Sequence, residues 1–64
     1  MKNKLQTCRK AAKLTQEAIA KQCGITTRVY QYYESGGRVP NVYAALKIAD
    51  ALDSSVEELF STND

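Results

Sequence analysis

Apolar residues recur along the chain at spacings of three and four, and no stretch alternates apolar with polar as a strand does. Leu5, Cys8 and Ala12 open the pattern. Asn3, three residues before Gln6, predicts a capped helix start near Asn3, and this helix ends before Leu14. Thr15 predicts the cap of a second helix, with Glu17 in its first turn and Ile19, Ala20 and Cys23 facing inward. Gly24 stops it, because glycine adopts the left-handed conformation of a helix terminus without a steric penalty. Thr26 predicts the cap of a third helix, with Tyr30 and Tyr33 inward, running to about Ser35 and closed by Gly36 and Gly37. Arg38, Val39 and Pro40 form a loop, and Asn41 caps a fourth helix. Its inward stripe is read as Val42, Ala45, Ala49 and Leu52, widened by Leu46 and Ile48. Ser55-Val56-Glu57-Glu58 is a capping box that opens a short fifth helix closed by Leu59 and Phe60. The expected fold class is therefore all-α, a compact five-helix domain with residues 61–64 a frayed tail.

Length and composition narrow what such a fold can do. Sixty-four residues predict a single, complete domain over 1–64, with little room for both a core and an enclosed substrate pocket. Apolar residues at 44% with one proline and three glycines fit a helical bundle and argue against disorder. No apolar run is long enough to span a membrane and no signal segment opens the chain, so a cytoplasmic protein is expected. Cys8 and Cys23 fall on inward positions and read as buried free thiols rather than a disulfide. With no histidine and no third cysteine, neither a metal site nor any other cofactor is expected. An enzyme is also poorly supported: there is no histidine base, no glycine-rich phosphate loop and no paired carboxylates placed in a cleft. The net charge of +2 says little, but its distribution says more. Residues 1–40 carry eight bases against Glu17 and Glu34, while residues 41–64 carry Lys47 against five acids. A basic front and an acidic back suit a protein that presents one end to a polyanion.

The informative stretch is 16–35. Two short helices joined by a tight turn need a small residue where their axes cross, a glycine in the turn and a set of inward apolar positions. Counting Gln16 as the first position, Ala20 is fifth and Gly24 ninth. Ile19, Cys23, Ile25, Tyr30 and Tyr33 fill the inward fourth, eighth, tenth, fifteenth and eighteenth positions. Meeting all seven requirements together, with caps in register, points to a DNA-binding helix-turn-helix.

On these residues the chain resembles the lambda-repressor/Cro-like, or Xre-type, helix-turn-helix regulators. The resemblance runs from about Leu5 to Phe60. It is carried by Leu14-Thr15-Gln16-Glu17, Ala20, Cys23-Gly24, Tyr33-Glu34-Ser35-Gly36 and Pro40. The stretches from Leu46 to Leu52 and from Val56 to Phe60 carry it further. It implies a five-helix fold whose third helix enters the major groove of double-stranded DNA, and frequent binding as a symmetric homodimer. It also implies that Gln16 clamps a phosphate and that Arg9 and Glu34 form a partly buried, structural ion pair. The departure is Tyr30, where such proteins more often carry an aliphatic residue; its hydroxyl is expected to reach water or a partner.

The helical wheel nominates the rest of the surface. With Tyr30 and Tyr33 inward, Arg28 points out, flanked by Gln31, Tyr32 and Ser35, and Thr27 projects from the first turn. Thr27, Arg28, Gln31 and Tyr32 are the expected base-contacting residues, Arg suiting guanine and Gln adenine. Gln16, Thr26, Ser35, Arg38 and Asn41 are the expected phosphate contacts, the capped helix starts being natural anion sites. The acidic C-terminal segment with Val56, Leu59 and Phe60 is the expected pairing surface, some of those residues belonging to the core instead. The function expected is that of a small bacterial or phage-encoded regulator, a repressor that binds a DNA operator, with no small-molecule ligand. The alternative is a protein-interaction module or antitoxin-type subunit that keeps the fold.

Overall fold

Each helix begins where a short polar side chain can take the place of the missing intrahelical acceptor. The structure, a computed structural model, describes residues 3–60; the expected frayed tail at 61–64 lies outside the described residues. It contains α1 Leu5–Ala11, α2 Gln16–Cys23, α3 Thr27–Ser35, α4 Val42–Ala51 and α5 Val56–Leu59, with no strand among the described residues. Thr15, Thr26, Asn41 and Ser55 cap α2 to α5, each accepting a backbone N–H three residues on at 2.8–3.1 Å. α1 departs from the expectation. It starts at Leu5 after Lys4, which provides no side-chain cap. Asn3 instead accepts the Leu5 N–H at 3.0 Å, and its amide donates to the Tyr33 carbonyl at 2.8 Å, tying the chain start to the end of α3.

The first four helices stop in one way. The chain turns left-handed at the first residue after α2 and α3 and at the second after α1 and α4, and two backbone N–H groups fold back on the last turn. At α2, Gly24 donates to Lys21 and Ile25 to Ala20, at 3.2 and 3.0 Å. At α3, Gly36 donates to Tyr33 and Gly37 to Tyr32, at 3.2 and 2.9 Å. α1 and α4 repeat this lock with Lys13 (φ 61°) and Asp53 (φ 52°) where α2 and α3 use glycine. The Lys4 N–H donates to the Leu59 carbonyl at 2.9 Å, which joins the start of α1 to the end of α5.

The core is a single cluster of Leu5, Ile19, Ala20, Tyr30, Ile48, Ala49, Leu52 and Leu59. Burying each of its large aliphatic side chains contributes roughly 1.5–3 kcal/mol. Cys8, Cys23, Ile25 and Tyr33 pack against it half-buried, and both cysteines are free thiols. Two expectations are corrected here. On α4 the inward stripe is Ala45, Ile48, Ala49 and Leu52, whereas Val42 and Leu46 stand largely in solvent beside Tyr43. Val42 opens the helix and Leu46 sits about 100° round from Ala45, so neither side chain packs on the core cluster. Leu59 is fully buried and Val56 and Phe60 lean on the core, so those side chains are structural rather than a free pairing surface. No helix among the described residues is long and apolar enough to cross a membrane.

Candidate nucleic-acid interface

α2 and α3 pack on each other, and Ala20 of α2 is buried at the position where a helix-turn-helix needs a small residue. The turn between them passes through Gly24 at φ 71°. With Tyr30 fully buried and Tyr33 half-buried, the opposite side of α3 faces outward, and Arg28, Gln31 and Tyr32 are all exposed on it. Thr27 is half-buried in the first turn. Nine residues of helix rise about 13 Å, comparable with the ~12 Å width of the major groove.

The side chains at the flanks keep donors available. Thr26 uses its hydroxyl oxygen as the cap of α3 while its hydroxyl proton remains for an outside acceptor. Asn41 likewise caps α4 through Oδ1 and keeps its amide protons. The Arg38 guanidinium lies 5.1 Å from the centroid of the Tyr32 ring, so these two residues are held together at the end of α3. Ser35 is placed differently. Its hydroxyl donates to the Tyr32 carbonyl at 3.1 Å and accepts from Gly37 N–H at 3.3 Å, closing the turn that carries Arg38.

Beneath this surface a chain of hydrogen bonds runs from α1 to α3. Arg9 Nε donates to Glu34 Oε2 at 2.9 Å and its Nη2 donates to Oε1 at 3.2 Å. Its Nη1 donates to the Leu14 carbonyl at 2.9 Å. Gln16 Nε2 donates to Glu34 Oε1 at 3.2 Å, and Gln16 Oε1 accepts from Gln31 Nε2 at 3.2 Å. The two charged side chains keep only 13% and 7% of their surface, so the pair works in a medium far less screening than water. Burial alone pushes the Glu34 carboxyl up, but the hydrogen bonds and charge of Arg9, with the adjacent Tyr30 hydroxyl and the Gln16 amide, hold it below the ordinary carboxylate range. The Arg9 guanidinium is raised in turn, chiefly by its hydrogen bonds to Glu34.

Tyr30 is where expectation and structure part. Its ring is fully buried, and its hydroxyl reaches neither water nor a hydrogen-bond partner of acceptable geometry. It lies close enough to Glu34 and Arg9 to feel their charges, and burial, then the adjacent Glu34, pushes its ionisation far above the usual range. What residue patterns left out is the junction of Gln16 and Gln31. Glutamines at the first and sixteenth positions of the motif signal it only once the crossing of α2 and α3 is known. Asn3 as a tether to α3, and the exposed face of α4, went unread for the same reason.

Two capped helices crossing through a glycine turn, the second presenting a polar outer face, define a helix-turn-helix. A family model described as Helix-turn-helix matches residues 5–59, and the chain belongs to this lambda-repressor-like, Xre-type family of DNA-binding transcriptional regulators. It is 42% identical over 59 residues to the cryptic phage CTXphi transcriptional repressor RstR of Vibrio cholerae, covering 92% of this chain and 53% of that protein. Identity is also 42% over 55 residues with the uncharacterized HTH-type transcriptional regulator YqaE of Bacillus subtilis, covering 86% and 47%. With the uncharacterized HTH-type transcriptional regulator MJ0272 of Methanocaldococcus jannaschii it is 36% over 64 residues, covering 100% and 97%. The chain thus spans about half the length of the first two relatives and nearly all of the third.

Proposed function

We propose that this chain is a sequence-specific double-stranded-DNA-binding domain acting as a small transcriptional repressor, with α3 in the major groove and two copies on one operator. The observation that carries this reading is the outward side of α3, where Arg28, Gln31 and Tyr32 stand exposed between two sets of anion-seeking groups. Arg28 reads guanine, Gln31 reads adenine, and Thr27 and Tyr32 touch neighbouring base edges or the thymine methyl. Gln16 and Thr26, at the starts of α2 and α3, hold the phosphates on one side, and Arg38 and Asn41 hold them on the other. Ser35 supports Arg38 by closing the turn, and the Arg9–Glu34 pair braces the scaffold rather than reading DNA. The domain works in the cytoplasm of a bacterial host by occupying DNA, without cofactor or catalysis. The kinship with a phage repressor supports repression as the mode.

The pairing surface in this reading is the exposed face of α4, where Tyr43, Leu46, Lys47 and Asp50 line an open concavity. Two such helices packed antiparallel about a two-fold axis set position 43 against 50 and 46 against 47. The Tyr43 hydroxyl of one copy then meets the Asp50 carboxylate of the other, so the face complements itself as an isologous interface requires.

Selection of bound sequences from a random duplex pool tests the reading. The expected result is a site with two-fold symmetry and half-sites about 34 Å apart, one turn of DNA. Arg28→Ala is then expected to abolish preference at one base pair of each half-site, with the salt dependence on random duplex unchanged. No mobility shift with random duplex at low salt would overturn the proposal.

A further inference from the structure

The hydrogen-bond chain beneath α3 has a direction, and the direction ends at the reading face. Glu34 receives two N–H groups from Arg9 and one from Gln16, and its carboxyl titrates below the ordinary range. An ionised carboxylate only accepts hydrogen bonds. The Gln16 amide must therefore turn its nitrogen to Glu34, which leaves its oxygen toward α3. That oxygen can only accept, so Gln31 must offer it an N–H, as it does at 3.2 Å. The Gln31 amide is left with its oxygen and one remaining N–H, an acceptor and a donor side by side. Adenine presents the complement in the major groove, the N6 donor beside the N7 acceptor.

We propose that Glu34 is a positioning residue for sequence reading. It fixes, through Gln16, which way round the Gln31 amide faces the DNA, and so makes one base position select adenine. Arg9 is part of the device because it keeps Glu34 ionised and held in place. Without a fixed acceptor at its root the amide pair can flip together, and a flipped Gln31 turns its oxygen to Gln16 and its nitrogen outward, which exchanges donor and acceptor against the N6 and N7 of adenine. The inference rests on the reading that places α3 in the major groove.

Glu34→Gln tests it, since glutamine keeps the shape but offers either a donor or an acceptor to Gln16. The probe is the duplex selected from a random pool by the wild-type protein, with each base pair varied in turn. Gln31→Leu first identifies the position that Gln31 reads. At that position Glu34→Gln is expected to reduce preference for adenine about tenfold, the scale of one good bidentate contact. Preference at the other positions and affinity for random duplex stay near wild type. A preference unchanged at that position overturns the inference, and so does an equal loss at every position, which marks a purely structural role. Should Glu34→Gln not fold, Gln16→Met leaves the ion pair intact and carries the test. Beyond the general loss of a phosphate contact, the adenine preference must then collapse at the Gln31 position, and its survival overturns the proposal. Failure of the underlying reading looks different, because the wild-type protein then binds no duplex at all.

Discussion

Tyr30 sets the terms at the scale of single residues. Its ring is fully buried, but its hydroxyl sits against the Arg9–Glu34 pair without a hydrogen bond of acceptable geometry. An unsatisfied buried hydroxyl costs about 1–3 kcal/mol, so Tyr30→Phe is expected to raise stability by about 1 kcal/mol in denaturant titration. A loss of stability would show that the hydroxyl is bonded after all. The same neighbourhood governs the response to pH. Glu34 titrates lower folded than unfolded, so its contribution is complete above the ordinary carboxylate value. It is lost as pH falls below about 4. Tyr30 and Cys23 are both raised, chiefly by burial, so their contributions are complete below their ordinary values and are lost on the alkaline side. Thermal melts are expected to show a plateau with one decline below about pH 4 and another above about pH 9. Tyr30→Phe should shallow mainly the alkaline limb, and Glu34→Gln mainly the acid one, because each group also shifts the other.

Among the elements, the turn between α2 and α3 is the sensitive part, because it fixes how α3 projects. A Cβ at Gly24 meets nothing within 4 Å, yet the residue sits at φ 71°. Gly24→Ala is therefore expected to cost only the backbone strain of the left-handed region, about 1 kcal/mol, with the fold and DNA affinity kept. A larger loss would mean that the turn itself moves. Lys13 and Asp53 occupy the matching place after α1 and α4, at φ 61° and 52°. Much of this level was legible in residue order. Thr15, Thr26, Asn41 and Ser55 cap their helices because a side-chain oxygen reaches the third N–H without help from the rest of the fold. The start of α1 was misread because Asn3 is held by the Tyr33 carbonyl, 30 residues away.

At the scale of the whole molecule, a body of 30 × 22 × 18 Å carries one helix-turn-helix among the described residues, and in the proposed reading a single α3 covers only a few base pairs. Doubling the site needs a second copy, and the exposed side chains of α4 are where it is expected to bind. Leu46→Glu should leave the helical content and the melting temperature nearly unchanged, since Leu46 is 56% exposed. It should convert dimers to monomers in sedimentation at high micromolar protein and weaken binding to the two-half-site duplex at least about tenfold. Binding to a single half-site should be spared. A wild-type chain that stays monomeric both alone and on the duplex would remove α4 from that role.

Residue order by itself determined the five helices, the caps of α2 to α5, the glycine stops of α2 and α3, and the seven positions of the helix-turn-helix. Each of these depends on contacts within a few residues, where period and cap chemistry leave few alternatives. It also marked Arg28, Gln31 and Tyr32 as outward, because the inward side of α3 is set by Tyr30 and Tyr33 alone. Only the tertiary structure decided which half of the apolar surface of α4 is covered, that Leu59 belongs to the core, and that the Tyr30 hydroxyl is left without a partner. It alone joined Arg9, Glu34, Gln16 and Gln31 into one directed chain. Those outcomes depend on helix crossings between residues at least 15 apart in sequence, and helical period carries no information about which crossing brings two polar ends within hydrogen-bond distance.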